Sequence, residues 1–265
     1  MNSRFIPEQN PAIRVRAAWI SDIHLGNRDC KAGFLLEFLQ RLECDILYLS
    51  GDIIDLWAMS KNFHWTGSHS EILRTIIRKS REGCRVFYIP GNHDSAFREY
   101  IDEAFGTIEV REQVVHIDAS GRRFLVTHGD EFDHAVRFSP LIHFIGDHAY
   151  DLLLFLNRCN LTICRWLQRD YWSLAGYIKQ RIGKAMKAIT IFRQAAMERA
   201  RKEGYDGIIC GHIHHPDIYE EEGIRYCNDG DWIENCSALV EQHDGKMEIV
   251  FFSQICNTAP VAFAP

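Results

Sequence analysis

Short apolar runs recur along the chain, and each stops at small or polar residues. Ala17–Ile20 precedes Ser-Asp, Ile46–Leu49 precedes Ser-Gly-Asp, and Val86–Ile89 precedes Pro-Gly-Asn. Phe124–Thr127 precedes His-Gly-Asp, and Gly207–Cys210 precedes Gly-His. Runs of this length, closed by turn residues, read as strands covered on both faces. Between the first three, Phe34, Leu35, Phe38, Leu39 and Leu42 keep helical spacing, as do Ile72, Leu73, Ile76 and Ile77. Alternating strands and helices predict an α/β fold. From Ile218 onward the pattern changes to short strands separated by turns, which predicts antiparallel hairpins. The expected architecture is two packed sheets with helices outside, an αββα sandwich. It forms one domain over residues 1–256, followed by a flexible tail over 257–265.

One region departs from this plan. From about residue 134 to 203 the periodicity is helical and no strand pattern interrupts it. Within Arg158–Lys202 stand 11 Lys and Arg against two acids, a local charge of +9 in a chain of −6. Large apolar groups such as Trp166, Leu167 and Tyr171 share the segment. It reads as a helical insertion between two core strands. Residues 181, 184 and 188 fall on one helix face, with 187 within about 60° of it. Arg181, Lys184 and Lys187 are therefore the candidate cations for holding a phosphate.

Composition narrows the class. The chain of 265 residues is 46% apolar and 25% charged, ordinary for a soluble protein. A net charge of −6 gives no reason to expect a nucleic-acid partner. Nine cysteines, an odd number without a Cys-x-x-Cys pair, read as reduced thiols in a cytoplasmic protein. The first residues lack the apolar stretch of a signal peptide, and no run approaches the ~20 apolar residues of a spanning helix.

The candidate chemistry lies just past the predicted strands. Asp22 and His24 follow the first, Asp52 the second, and Asn92 and His93 the third. His128 follows a later strand, and His212 and His214 follow Gly207–Cys210. Ligands of open α/β sheets gather at the carboxyl ends of strands, so these groups would meet on one rim. Imidazoles, carboxylates and one amide oxygen, without thiolate, suit divalent Mn, Fe or Zn. Asp22, His24, Asp52, Asn92, His128, His212 and His214 exceed what one catalytic ion needs. They fit two ions sharing a carboxylate. Asp22 with His24, and His212 with His214, stand two residues apart, so extended backbone would project each pair to one side. Any one of these residues alone reads more readily as a cap, a turn residue or a satisfied core group than as a ligand, and GDIID alone reads as an N-cap. Five motifs in order, each after a strand, do not.

As a set, Asp22-Ile23-His24, Gly51-Asp52-Ile53-Ile54-Asp55, Gly91-Asn92-His93-Asp94, His128 and Gly211-His212-Ile213-His214 resemble the calcineurin-like metallophosphoesterases. The likeness spans about residues 20 to 253. It implies a two-sheet sandwich and a dinuclear site, with manganese the first expectation and iron or zinc the alternatives. It assigns Asp22, His24, Asp52 and His214 to one ion and Asp52, Asn92, His128 and His212 to the other. It makes His93 the catalytic histidine, which donates to a phosphoryl oxygen or protonates the leaving group. Asp94 is expected to orient it.

The insertion and the late Gly230-Asp231-Trp232 are similar to the UDP-2,3-diacylglucosamine diphosphatases of lipid A synthesis, whose lid accepts acyl chains. That subgroup typically has Gly-Asn-Arg-Asp where this chain has Gly91-Asn92-His93-Asp94. The resemblance implies a phosphorylated, lipid-linked small molecule as partner, with peripheral contact at the inner face of the membrane. Other phosphodiesters, cyclic nucleotides or phospholipids among them, are the alternative substrates. A metal-free scaffold on this fold is a further reading, which the complete ligand set disfavours. The last is a peripheral membrane protein that uses the insertion alone.

Overall fold

The computed structural model describes residues 11–135, 160, 183–252 and 262–263. The chain enters through β1 (Ile13–Ile20), α1 (Ala32–Arg41) and β2 (Leu42–Leu49). It continues through α2 (Leu56–Lys61), α3 (Gly67–Arg81) and β3 (Arg85–Tyr88). Short strands follow: β4 (Ala104–Phe105), β5 (Ile108–Val110), β6 (Val114–Ile117) and β7 (Arg123–Val126). After α4 (Gly183–Glu203) come β8 (Gly207–Cys210), β9 (Asp217–Glu221), β10 (Ile224–Asn228), β11 (Ser237–Glu241) and β12 (Met247–Phe251). Each apolar run marked in the sequence lies on β1, β2, β3, β7 or β8.

The strands form two sheets. One has eight strands in the order β13-β12-β11-β1-β2-β3-β5-β4, where β13 is Ala262–Phe263. The other has five, in the order β6-β7-β8-β10-β9. The β1–β2–β3 core of the first sheet and the β7–β8–β10 core of the second are parallel. Their carboxyl ends therefore present the loops that follow them. Ala262 and Phe263 pair with Phe251 and Val250, so part of the segment expected to be a flexible tail adds an edge strand.

Continuous apolar strands need cover on both faces, and three clusters of buried residues supply it. Between the sheets pack Trp19, Tyr48, Phe87, Phe124, Ile209 and Leu239, among others. On the outer face of the first sheet, α1 contributes Phe34, Leu35, Phe38 and Leu39, and α3 contributes Ile72 and Ile76. On the outer face of the second, α4 lays Phe192, Ala196, Met197 and Ala200 over Leu125, Ile208 and Tyr226. Thr66 caps α3 by accepting from the His69 N–H at 3.4 Å. Ile77 departs from the expected apolar face: it is 42% exposed, on the outer flank of α3. Of the helical insertion expected over 134–203, the end of the segment is the helix α4, and most of the rest lies outside the described residues.

Candidate metal centre

The candidate residues sit where the parallel strands stop. Asp22 and His24 follow β1, Asp52 follows β2, and Asn92 and His93 follow β3. His128 comes two residues after β7, and His212 and His214 follow β8. The loops are locked by backbone bonds: Asp22 N–H to Gly51 O (3.0 Å), His24 N–H to Asp52 O (2.9 Å) and Gly211 N–H to His128 O (3.0 Å). All seven expected ligands are brought to this rim.

How the backbone aims them differs from the extended geometry expected of the i, i+2 pairs. Asp22, His24, Asp52, His212 and His214 have φ of 49°, 52°, 53°, 69° and 49°. This is the left-handed region, uncommon for residues with a Cβ. A strand would send alternate side chains to one sheet face. The left-handed turn instead folds both members of each pair over the strand end. Gly91 makes room: a Cβ there would stand 2.7 Å from the Asp52 amide nitrogen and 2.8 Å from the His128 ring.

Three groups of donor atoms result, each within 4.8 Å: Asp22, His24 and His214; His24, Asp52 and His93; and Asp52, His128 and His212. Asp52 stands between them. Its Oδ2 lies 3.8 Å from His24 Nε2 and 3.5 Å from His128 Nε2. Its Oδ1 accepts the His93 N–H at 2.8 Å, which fixes the carboxylate plane. His214 Nε2 lies 3.1 Å from Asp22 Oδ1, and Asn92 Oδ1 lies 3.2 Å from His128 Nε2.

Hydrogen bonds on the far sides of the rings decide which nitrogen is free. His128 Nδ1 donates to Ser50 O at 2.9 Å, which leaves Nε2 for the centre. Asp55 receives His24 Nδ1 on Oδ2 at 3.1 Å and His93 Nδ1 on Oδ1 at 2.9 Å. Burial alone would raise the Asp55 carboxyl, but the bonds from His24 and His93 hold it well below the usual range. An ionised carboxylate only accepts, so both histidines donate through Nδ1 and present Nε2 inward. His212 Nε2 meets Asp133 Oδ1 at 2.8 Å.

These residues fit divalent ions on observations independent of the motif. His24 Nε2 is buried with no hydrogen-bond partner among the described residues, a position that costs free energy unless something binds it. Burial would raise Asp22 and Asp52, yet the facing imidazoles hold both below the ordinary carboxylate range. Burial would push the His93 and His128 imidazoles down, yet the carboxylates raise both. The carboxylates and imidazoles of the rim thus favour one another's charged forms.

The expected role of Asp94 needs correction. Its Oδ1 accepts from Gly91 N–H at 2.6 Å, and its Oδ2 from Ile53 N–H at 2.9 Å and Tyr88 Oη at 2.5 Å. Fully buried, it pins the Gly91–Asp94 turn to the β2 loop and does not reach His93. The carboxylate on His93 is Asp55. Adjacency in sequence favoured Asp94, but the tight turn sends its side chain inward while the ring points out. Asp55 also caps α2, accepting from Ala58 N–H at 2.8 Å, so the bland reading of GDIID holds alongside the chemical one.

Sequence reasoning also missed Ser21, Asp229 and Asp133. Ser21 Oγ lies 2.5 Å from Asp22 Oδ2 and 2.7 Å from Asp229 Oδ1. A hydroxyl has one proton, so with Asp22 ionised it donates there. Burial pushes the Asp229 carboxyl, 2.7 Å from the same hydroxyl, well above the usual range. Ser21 directly follows β1 and Asp229 directly follows β10, but the 208-residue separation hides their contact. Of the three candidate cations, Lys187 lies on the exposed side of α4. The Arg181 and Lys184 side chains lie outside the described residues.

Among the described residues no helix is long and apolar enough to cross a membrane. The family model for calcineurin-like phosphoesterases matches residues 15–216. The chain is 26% identical over 219 residues to the UDP-2,3-diacylglucosamine hydrolase of Klebsiella pneumoniae, covering 76% of this chain and 83% of that protein. It is 26% identical over 237 residues to the protein of that name from Neisseria meningitidis serogroup B, covering 84% and 92%. The Haemophilus influenzae protein of that name is 22% identical over 243 residues, covering 85% and 94%.

Proposed function

The chain belongs to the calcineurin-like phosphoesterase family, a metal-dependent phosphohydrolase, and on that premise we propose that it hydrolyses the diphosphate of a nucleotide-linked, acylated sugar. The observation behind the dinuclear part of this reading is Asp52 Oδ2, poised between His24 Nε2 and His128 Nε2. Asp22, His24, Asp52 and His214 would hold one ion, and Asp52, Asn92, His128 and His212 the other. Manganese is the first choice. Bound there, the ions would supply Lewis acidity that acidifies water and offsets charge on the phosphoryl group.

The chain's own residues do the rest. Ser50 O and Asp55 fix the His128 and His24 rings. Ser21, backed by Asp229, holds Asp22 in place. Asp55 holds His93 through Nδ1 and leaves Nε2 to donate to a phosphoryl oxygen or to the leaving oxygen, work worth about 10²–10⁴-fold. The exposed indole of Trp57 packs on His93, with ring centroids 4.4 Å apart, and limits how the imidazole can turn.

The substrate class is supported by the names of the three relatives and by the cationic, apolar segment before β8. Arg181, Lys184 and Lys187 are our candidates for the lipid-linked phosphate, with acyl chains against Trp166, Leu167 and Tyr171. The protein would then work in the cytoplasm, peripheral at the inner face of the membrane where such lipids are made. His93, where the diphosphatase subgroup typically has arginine, favours as second reading a different phosphodiester.

Two substrates compared side by side test both readings. Manganese-loaded protein is given UDP-2,3-diacylglucosamine and bis-p-nitrophenyl phosphate. Nucleoside monophosphate release, with far higher kcat/KM on the lipid, is the expected result. Hydrolysis of the chromogenic diester alone would give the second reading. A Lys184→Ala variant should raise KM for the lipid and leave the small diester unchanged. Equal losses would make that lysine a fold residue.

A further inference from the structure

At the opposite end of β2 from Asp52, two thiols meet. Cys44 Sγ and Cys84 Sγ lie 3.6 Å apart, with a hydrogen bond between them. Cys44 sits on the third residue of β2. Cys84 precedes β3, after Gly83 turns the chain at φ 108°. Its N–H is taken by Lys79 O at 3.0 Å, at the C-terminal end of α3. Both side chains are partly exposed, and both line a surface groove of about 330 Å³ with Arg14, Lys79 and His243. A small oxidant in water can reach them.

We propose that Cys44 and Cys84 are a modification site, a dithiol that a hydroperoxide closes to a disulfide. Contact distance between the sulfurs puts bond formation within reach of small side-chain rotations. The hydrogen bond from Cys44 draws the Cys84 thiol below its usual range, with the Lys79 ammonium adding to it. The same bond, with burial, pushes Cys44 up. Of the two, Cys84 is the thiol drawn toward its ionised form and is placed as the first nucleophile. The remaining thiols of the β8–β11 region contrast with it. Burial drives Cys227 up to about 12, and Cys210 and Cys236 are likewise buried and raised.

The chemistry balances. The Cys84 thiolate attacks one peroxide oxygen, the O–O bond breaks, and hydroxide leaves with a proton from solvent as water. Cys84 is now a sulfenic acid. Cys44 attacks its sulfur, the S–O bond breaks, and a second water leaves with the Cys44 proton. Two thiols are oxidised, and one peroxide is reduced to two waters. The disulfide would close residues 44–84, the segment that carries Asp52, Asp55, α2 and α3. It does not touch the metal centre, so hydrolysis is expected to continue.

Mass spectrometry of the full-length chain tests this. The protein is reduced, exposed to hydrogen peroxide, alkylated and digested. The expected product joins the Cys44 and Cys84 peptides, is separated again by dithiothreitol, and accompanies an upward shift of Tm. In Cys44→Ser the Cys84 sulfenic acid has lost its resolving thiol, and dimedone should capture it. Recovery of Cys44 and Cys84 as two separately alkylated thiols after peroxide overturns the proposal. Equal dimedone capture at Cys84 in the parent and in Cys44→Ser overturns it too, because Cys44 would then not be the resolving thiol.

Discussion

Replacing Asp55 separates two jobs that one carboxylate performs. Its oxygens are divided. Oδ1 takes Ala58 N–H at 2.8 Å and His93 Nδ1 at 2.9 Å. Oδ2 takes His24 Nδ1 at 3.1 Å and Asn27 Nδ2 at 3.2 Å. All four partners donate. In Asp55→Asn one oxygen becomes an NH2, so one pair must lose its acceptor whichever way the amide turns. The helix cap favours oxygen on the Ala58 side, because that backbone donor cannot turn elsewhere. The NH2 then faces His24, and a ligand loses its anchor. Asparagine caps a helix about as well as aspartate, so stability should fall little.

Asp55→Ala removes all four bonds. The lost cap costs about 1 kcal/mol. Two buried bonds to imidazole add about 1–2 kcal/mol each, for a total of roughly 3–5 kcal/mol. Losing such an outer partner typically weakens metal binding or activity by ~10–100-fold. The assay is calorimetric titration of stripped protein with Mn²⁺, beside thermal unfolding of the same stripped samples. The expected pattern is weak binding with near-parental Tm for Asp55→Asn, and weak binding with a large Tm loss for Asp55→Ala. If Asp55→Asn binds Mn²⁺ as tightly as the parent, the Asp55–His24 contact does not set the ligand, and the reasoning fails.

Other expectations follow from the same geometry. Asp52→Ala should lose metal content, whereas His93→Ala should keep it and slow turnover by ~10²–10⁴-fold; equal metal loss, read by elemental analysis, would make His93 a ligand. Gly91→Ala should lower metal affinity, because its Cβ would press on Asp52 and the His128 ring; unchanged Mn²⁺ titration would show that the loop yields freely. Glu241 is fully buried, and burial alone would raise it, but His116, the Ala119 N–H and Arg16 outweigh that and hold it below 4.5. Its contribution to stability is therefore complete above about pH 4.5 and lost as pH falls through the lowered pKa, so Glu241→Gln should flatten the acid limb of a Tm-against-pH curve; an unchanged limb would remove this group from the account.

Local pattern made the scaffold legible. The apolar runs are strands because their residues face cores on both sides, and that demand is visible without knowing what provides the cover. Phe34, Leu35, Phe38 and Leu39 announce α1 by spacing alone. Ile77 fails because four apolar residues do not say where a helix face ends. The site was legible as a roster and not as a network. A histidine after a strand end can be read from the sequence. The atom on its far ring nitrogen cannot, since Asp55 meets His93 across 38 positions and Asp229 meets Ser21 across 208. The Cys44–Cys84 contact was invisible for the same reason: it depends on where α3 ends and how Gly83 turns.

The left-handed backbone at Asp22, His24, Asp52, His212 and His214 ties these levels together. Each such residue costs of order 1–3 kcal/mol and persists only where its surroundings over-determine it. Glycine would relieve that strain at any of the five. Two of the side chains also tie the loops together: Asp22 Oδ2 accepts the His212 N–H and Asp52 Oδ1 the His93 N–H, each at 2.8 Å. The ladder from Asp22 N–H to Gly51 O and from His24 N–H to Asp52 O is made by the backbone. Of the eight non-glycine residues with left-handed backbone among the described residues, five are these donors, and His24 Nε2, buried with no partner among the described residues, stands among them. Left-handed backbone at five donor residues and a buried ring nitrogen with no partner among the described residues are two separate costs. A bound cation shared through Asp52 offsets them together, which is the physical case for reading this rim as a centre built for metal.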